Sequence, residues 1–320
     1  MLRNGSLRVC SDKVRVTSKI YEIAYTVCIV ISLVAMLLTF ITYQTFPKLR
    51  NVPGLCLMNL LAALFVANFI FLFNDDFATL PEVCVGMAAL SHYTWLASFA
   101  WMSVLSYNMA RTFGTHSMQL NTSSDTKTRL MKYSLYAWGL PFLVMTMGLA
   151  LHFCDCVDGF VFRYGGNSTC WITDGLALFF SVGIPVAVML TFDLIVFLYT
   201  GVSLRRSRNA VKRVRINNGS SNDLLIELAV NTRLFILLGI TWIFGFVQYL
   251  WPVTVWKVVF LVSNSLQGLF IFIMFVMKKR VLKMWLDLFS TCRIEEQTPT
   301  TKAIEDIPKP SNVPAIMSQL

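Results

Sequence analysis

Seven long apolar runs, separated by shorter polar stretches, dominate the chain: 21–43, 53–73, 84–110, 131–152, 175–201, 232–250 and 256–276. A hydrocarbon layer about 30 Å thick takes roughly 20 residues of helix, and each run is near that length. The runs are continuous, not short segments of alternating polarity, and in lipid each must satisfy its own backbone hydrogen bonds. They therefore predict helices and exclude a barrel. A different pattern follows in Lys278–Phe289, where Val281, Leu282, Trp285, Leu288 and Phe289 share one helical face and Lys279, Lys283 and Asp287 another. That is the signature of a helix lying at the membrane interface. The predicted organisation is an all-α membrane protein: an extracellular stub over 1–20, a seven-transmembrane helix bundle over 21–276, a short amphipathic juxtamembrane helix over 277–289, and a polar, Pro-rich tail over 290–320 that reads as disordered and cytoplasmic.

The composition, 56% hydrophobic and only 14% charged, with mean hydropathy +0.63, leaves no room for a soluble catalytic domain. A net charge of +10 would suggest nucleic acid in a soluble protein, but here its distribution is what informs. Of the 27 Lys and Arg, 20 fall in the first, third and fifth gaps and the C-terminal tail, and seven on the other side. Arg205, Arg206, Arg208, Lys212, Arg213, Arg215 and Arg233 crowd the fifth gap alone. The positive-inside rule puts that side in the cytoplasm, with the N-terminus out and the C-terminus in. Arg3, Arg8, Lys13, Arg15 and Lys19 precede the first span against this rule, and no apolar signal core stands before Tyr21. A longer natural N-terminal region with its own signal is the expectation. Of four Asn-x-Ser/Thr sequons, this topology places Asn4 and Asn167 outside as candidate glycosylation sites and Asn121 and Asn218 inside.

Candidate chemistry inside the spans is sparse. Asp193, in the fifth span, is either a protonated acid hydrogen-bonded between helices or part of a switch or cation site, since no Lys or Arg stands deep in a span to neutralise it. His92, in the third, reads as an interhelical donor before it reads as a ligand. His116 and His152 lie near span ends with no second ligand at suitable spacing, so no metal site is expected. There is no HExxH, GxSxG, phosphate loop or paired intramembrane carboxylate, which argues against an enzyme. Lys257 lies at the outer edge of its span, so no covalent chromophore or other cofactor is expected. Cys28 and Cys56 read as packing residues. Cys84 begins the third span and Cys170 precedes the fifth, both outside, where a bond between them would staple the second outer loop over the bundle mouth. Cys10, Cys154 and Cys156 are also outside. Cys292, beyond the amphipathic stretch, is either an unmodified thiol or a palmitoylation site.

Several motifs in order resemble the secretin, adhesion and Methuselah-like group of G-protein-coupled receptors over roughly residues 21–289. LQGLFIFIMFVMKKRVL from Leu266 is similar to the family's seventh span, with Gln267 and Gly268 at the bend. LLGITWIFGF resembles its sixth, with Gly239 and Trp242 at kink and switch positions, and HYTWLASFAWMSV its third. Cys170-Trp171 resembles the outer-loop signature and supports the bond to Cys84. LRNVPGLCLMNL is most like Methuselah-like receptors. The hormone-receptor branch keeps a His in the second span and a Glu in the third. This chain has Pro53 or Gly54 and Leu105 there, and Asp193 eight residues after Pro185, where the family usually has Asn. The resemblance implies a two-state receptor. It would bend at Pro185, Gly239 and Gly268, bind an outer ligand or tethered agonist, and meet a heterotrimeric G protein through the basic inner face, including Lys278, Lys279 and Arg280. Trp242 and Gln267 would form one switch, or else serve as packing and static glue. The alternatives are a receptor-like adhesion or scaffold protein and, less favoured, a channel or transporter. The basic loops would also face anionic membrane lipid.

Overall fold

The computed structural model describes residues 3–74, 76–113, 123–154, 161–166, 170–213, 247 and 254–296. For 3–21, 109, 112–113, 123–125, 204–213, 254, 257 and 291–296 only the backbone is described. Every regular element among the described residues is helical: α1 Arg3–Thr45, a 3₁₀ turn Pro47–Leu49, α2 Val52–Leu72, α3 Pro81–Phe113 and α4 Ser123–Cys154. A short α5, Gly175–Leu178, runs through a π-helical segment, Phe179–Gly183, into α6, Ile184–Arg213. Then come α7 Thr254–Ser265, α8 Gln267–Phe275 and α9 Lys279–Glu296.

Helix ends follow from local chemistry. No Gly or Pro interrupts Ser6–Phe46, so the helix that carries the first span is already formed in the charged residues before it, and its apolar part begins at Glu22, beside the expected span start at 21. It stops before Pro47, where Phe46 is extended at φ −108°, ψ 96°. The α2 start is capped by Asn51, whose Oδ1 accepts from the Gly54 amide at 2.9 Å. The expected seventh span, 256–276, is two helices, α7 and α8, meeting at a bend of 42°. The amphipathic helix continues to Glu296, past the expected end at 289, because no breaker stands between Lys279 and Glu296.

Among the described residues five helices are long and apolar enough to cross a membrane, six if α7 and α8 are one span. The expected sixth run, 232–250, lies outside those residues apart from Val247. The third helix is the most enclosed: 67% of its apolar window is buried, against 17% for α4 and for the span of α5 and α6. It is therefore the central pillar. The core around it contains Leu57, Leu60, Leu61, Leu64, Leu96, Phe99, Trp101 and Ile271. On the opposite face of α1, Val27, Val30, Ile31, Val34, Leu37, Leu38 and Ile41 are exposed, as lipid-facing side chains are. Two buried hydroxyls of α1 are served within their own helix: Thr39 donates to the Ala35 carbonyl at 2.8 Å and Thr42 to that of Leu38 at 2.7 Å. Residues 1–275 form one compact unit and 276–320 another. In the second, Trp285 and Phe289 stack at 5.5 Å on the expected apolar face of α9.

Candidate functional site

The described parts of the stretch between α4 and α5, 161–166 and 170–174, fold back as a lid. Tyr164 and Ile172 form an antiparallel bridge, with Gly165 N–H donating to the Trp171 carbonyl at 2.8 Å and Thr173 N–H to that of Arg163 at 3.3 Å. A disulfide joins Cys84 to Cys170, tying the lid to the start of α3, and the Cys170 amide donates to Asn74 Oδ1 at 3.0 Å. Gly165 has φ +78°, a backbone region that favours glycine, and a Cβ there would stand 3.3 Å from Cys84 Sγ. Cys154 is also disulfide-bonded, to a cysteine whose side chain lies outside those described.

Below the lid is a cavity of about 480 Å³, within the range of small-molecule sites. Phe71, Trp95, Phe99, Trp171, Phe179 and Phe260 supply an aromatic wall, and Asn68, Asn264 and Ser265 a polar side. No Asp, Glu, Lys, Arg or His lines it among the described residues. Trp171 comes from the lid itself and packs at 5.8 Å against Phe71, so the disulfide positions a wall of the cavity.

His92 stands behind this wall, fully buried. Its Nε2 lies 3.2 Å from the Ser181 carbonyl oxygen, and because a carbonyl only accepts, Nε2 carries the proton. In the neutral ring Nδ1 then accepts from the Tyr164 hydroxyl at 2.8 Å. Burial pushes the Tyr164 phenol pKa up, which keeps it a neutral donor. The sequence reading of His92 as an interhelical donor holds. Its partners, a lid residue and a backbone carbonyl, were not legible.

The α7–α8 bend is braced from both sides. The Gly268 amide donates to Ser32 Oγ of α1 at 2.9 Å. Gln267, buried at the start of α8, donates through Nε2 to Asn264 Oδ1 at 2.6 Å. Asn264 also lines the cavity, so Gln267 sits one residue behind the pocket. Gly239 and Trp242 lie outside the described residues, as do Arg215 and Asn167.

Asp193 is fully buried in α6. The Ser103 and Ser106 hydroxyls of α3 act on its carboxyl, yet neither oxygen completes a hydrogen bond of standard geometry. It thus stands in α6 against α3. Pro185 follows the π-helical segment by two residues. Arg205, Arg206, Arg208, Lys212 and Arg213 fall on the last turns of α6, Asn4 on the first turn of α1 and Cys292 on α9, where only the backbone is described. Lys279 and Arg280 open α9 and are exposed, and Lys278 precedes it half-buried.

A multi-helix membrane bundle with a ligand-sized cavity beneath a disulfide-tied lid has the architecture of a receptor. Residues 19–271 match the seven-transmembrane receptors of the secretin family, and the chain belongs to that family. Probable G-protein coupled receptor Mth-like 4 of Drosophila melanogaster is 28% identical over 291 residues, covering 88% of this chain and 56% of the relative. G-protein coupled receptor Mth of Drosophila yakuba is 28% identical over 274 residues, covering 82% and 52%. Adhesion G-protein coupled receptor G2 of Homo sapiens is 29% identical over 268 residues, covering 80% and 25%. The chain therefore spans about half the length of its Methuselah relatives and a quarter of the adhesion receptor. It is a multi-pass plasma-membrane protein.

Proposed function

We propose that this chain carries a stimulus from the outer face of the plasma membrane to a heterotrimeric G protein through seven helices, with residues 1–20 outside and the C-terminus inside. The observation that carries this reading is the cavity of about 480 Å³ beneath Trp171, on the loop bonded to α3 by Cys84–Cys170. Its aromatic wall and uncharged polar side suit a neutral, largely apolar ligand or tethered segment that hydrogen-bonds to the Asn68 and Asn264 amides. A ligand that binds one arrangement of the wall better than another shifts the population of the bundle by that difference in affinity.

On the inner side the end of α6 supplies Arg205, Arg206, Arg208, Lys212 and Arg213, and, in the second unit, Lys278, Lys279 and Arg280 stand at the start of α9; each is a basic segment for the G-protein α-subunit or for anionic lipid. Arg215 would extend the first. The region 277–289 would lie along the inner interface with residues 290–320 beyond, Cys292 would be open to palmitoylation there, and Asn4 and Asn167 to glycosylation outside. Guanine-nucleotide exchange on a purified heterotrimer, with the chain reconstituted in lipid discs, tests the reading. Exchange above the receptor-free control, altered by Trp171→Ala at equal reconstituted amount, is expected. Rates equal to the receptor-free control for every heterotrimer class would sink it.

A further inference from the structure

We infer that His92 is a positioning residue that supplies the N–H Pro185 lacks, and that through it the lid and the cavity wall are held in one arrangement. In an α-helix each carbonyl accepts from the amide four residues on. For Ser181 that residue is Pro185, which has no N–H. The chain widens there into the π-helical segment Phe179–Gly183, where the Ile184 amide reaches back five residues to the Phe179 carbonyl, and His92 Nε2–H from α3 points at the Ser181 oxygen.

The segment so held is the cavity wall: Phe179, Val182 and Gly183 line the cavity, while the Ser181 carbonyl turns away toward His92. On the other side of the ring, Tyr164 Oη donates to Nδ1, and the Tyr164 amide donates to His152 Nδ1 of α4 at 3.2 Å. Tyr164 pairs across the bridge with Ile172, next to Trp171. One imidazole thus connects two walls of the cavity, the lid and the π-helical segment, to the central pillar. Its two nitrogens have distinct and complementary duties, and only a ring with a proton on Nε2 and a lone pair on Nδ1 performs both.

A double-mutant cycle between His92 and Pro185 decides the matter. It is read as thermal unfolding of the full chain in detergent and as basal nucleotide exchange in discs. His92→Phe keeps a ring and removes the donor. It should lower Tm and change basal exchange about 2-fold or more, as expected for contacting groups. Pro185→Ala returns an N–H to the helix, so the loss on His92→Phe should shrink in that background. His92→Gln, whose Nε2 carries donors at similar reach, should recover most of both readouts, whereas Tyr164→Phe should reproduce part of the loss. Additive effects of His92→Phe and Pro185→Ala, or equal losses from His92→Phe and His92→Gln, would overturn the inference. Should His92→Phe alone fail to fold, recovery of folded protein in the double variant supports the inference, and continued failure overturns it. The functional arm rests on the reading of the cavity as the stimulus site. If the unaltered chain drives no exchange, that reading fails while the thermal cycle still decides the role of His92.

Discussion

Adding one methyl group at Gly268 should loosen the join between the first and seventh spans. A Cβ there would stand 2.6 Å from Met36 Cγ, from the Ser32 carbonyl oxygen and from Ser32 Oγ. Real Cβ contacts fall at 3.0 to 3.4 Å only when tight, so the neighbours must retreat by about 0.4 to 0.8 Å, that is 3.0 − 2.6 to 3.4 − 2.6. The Met36 and Ser32 side chains can rotate, but the Ser32 carbonyl belongs to the backbone of α1, and moving it moves the helix. Overpacking of this kind costs about 1–3 kcal/mol. Any shift also lengthens the Gly268–Ser32 hydrogen bond, worth about 0.5–1.5 kcal/mol. Alanine's better helix propensity returns about 1 kcal/mol, so the balance is a net loss. Thermal unfolding followed with a thiol-reactive dye suits this chain, because Cys28 and Cys56 are unbonded thiols in the spans and Cys56 is buried until the bundle opens. Gly268→Ala should unfold below the unaltered protein. Ser32→Ala, which removes only the hydroxyl, should not rescue it. A Gly268→Ala protein as stable as the original would refute the close approach of the two helices.

Peptides mapped by mass spectrometry without reduction should contain the Cys84–Cys170 bond, and Cys84→Ser should cost about 2–4 kcal/mol of stability. Free thiols at both positions would refute this. Asp193→Asn keeps the shape while removing the possibility of charge, and should preserve surface expression and signalling if the carboxyl is already neutral between Ser103 and Ser106. A large loss of both would show that the charge itself is needed. Gln267→Ala removes the bond to Asn264 and should change basal exchange at equal surface expression. Its effect should be non-additive with Trp242→Ala if the two form one switch, and additive losses that only track folding would leave both as packing residues.

Much of the architecture was legible because lipid imposes simple rules. Apolar runs of spanning length marked the described spans, and the Cys84 and Cys170 positions marked the lid. The first apolar run, from residue 21, marked where the span begins, at Glu22, but apolarity gives no signal for how far the helix extends ahead of the lipid. A charged segment without Gly or Pro remains helical beyond the hydrocarbon. The α7–α8 bend was suggested by Gln267 and Gly268. The hydroxyl that braces it, Ser32, gave no signal, since a buried serine in a span normally bonds within its own helix, as Thr39 does. The aromatic cavity was not legible either, because Phe71, Trp95 and Phe260 stand in runs so uniformly apolar that periodicity cannot separate a cavity-facing position from a lipid-facing one.

His92 and Pro185 show what such a sequence conceals. Each was visible, the first as a donor needing a partner and the second as a source of bending, but they are 93 positions apart, and neither names the other. What joins them is a third residue, Ser181, whose contribution is a backbone carbonyl and so leaves no trace in residue type. A proline within a span always deprives the carbonyl four residues earlier of its usual donor, and in hydrocarbon that oxygen must find another or be shielded. The useful question for each span proline is therefore which side chain on a neighbouring helix can bring an N–H to position i − 4. In α4, Pro141 poses the same question for the Ala137 carbonyl, and Ala137 is fully buried. The difference is functional: the Ser181 carbonyl lies in a segment that also lines the cavity. Ala137 is not among the residues that line the cavity, so of the two prolines it is Pro185 whose missing donor bears on the wall.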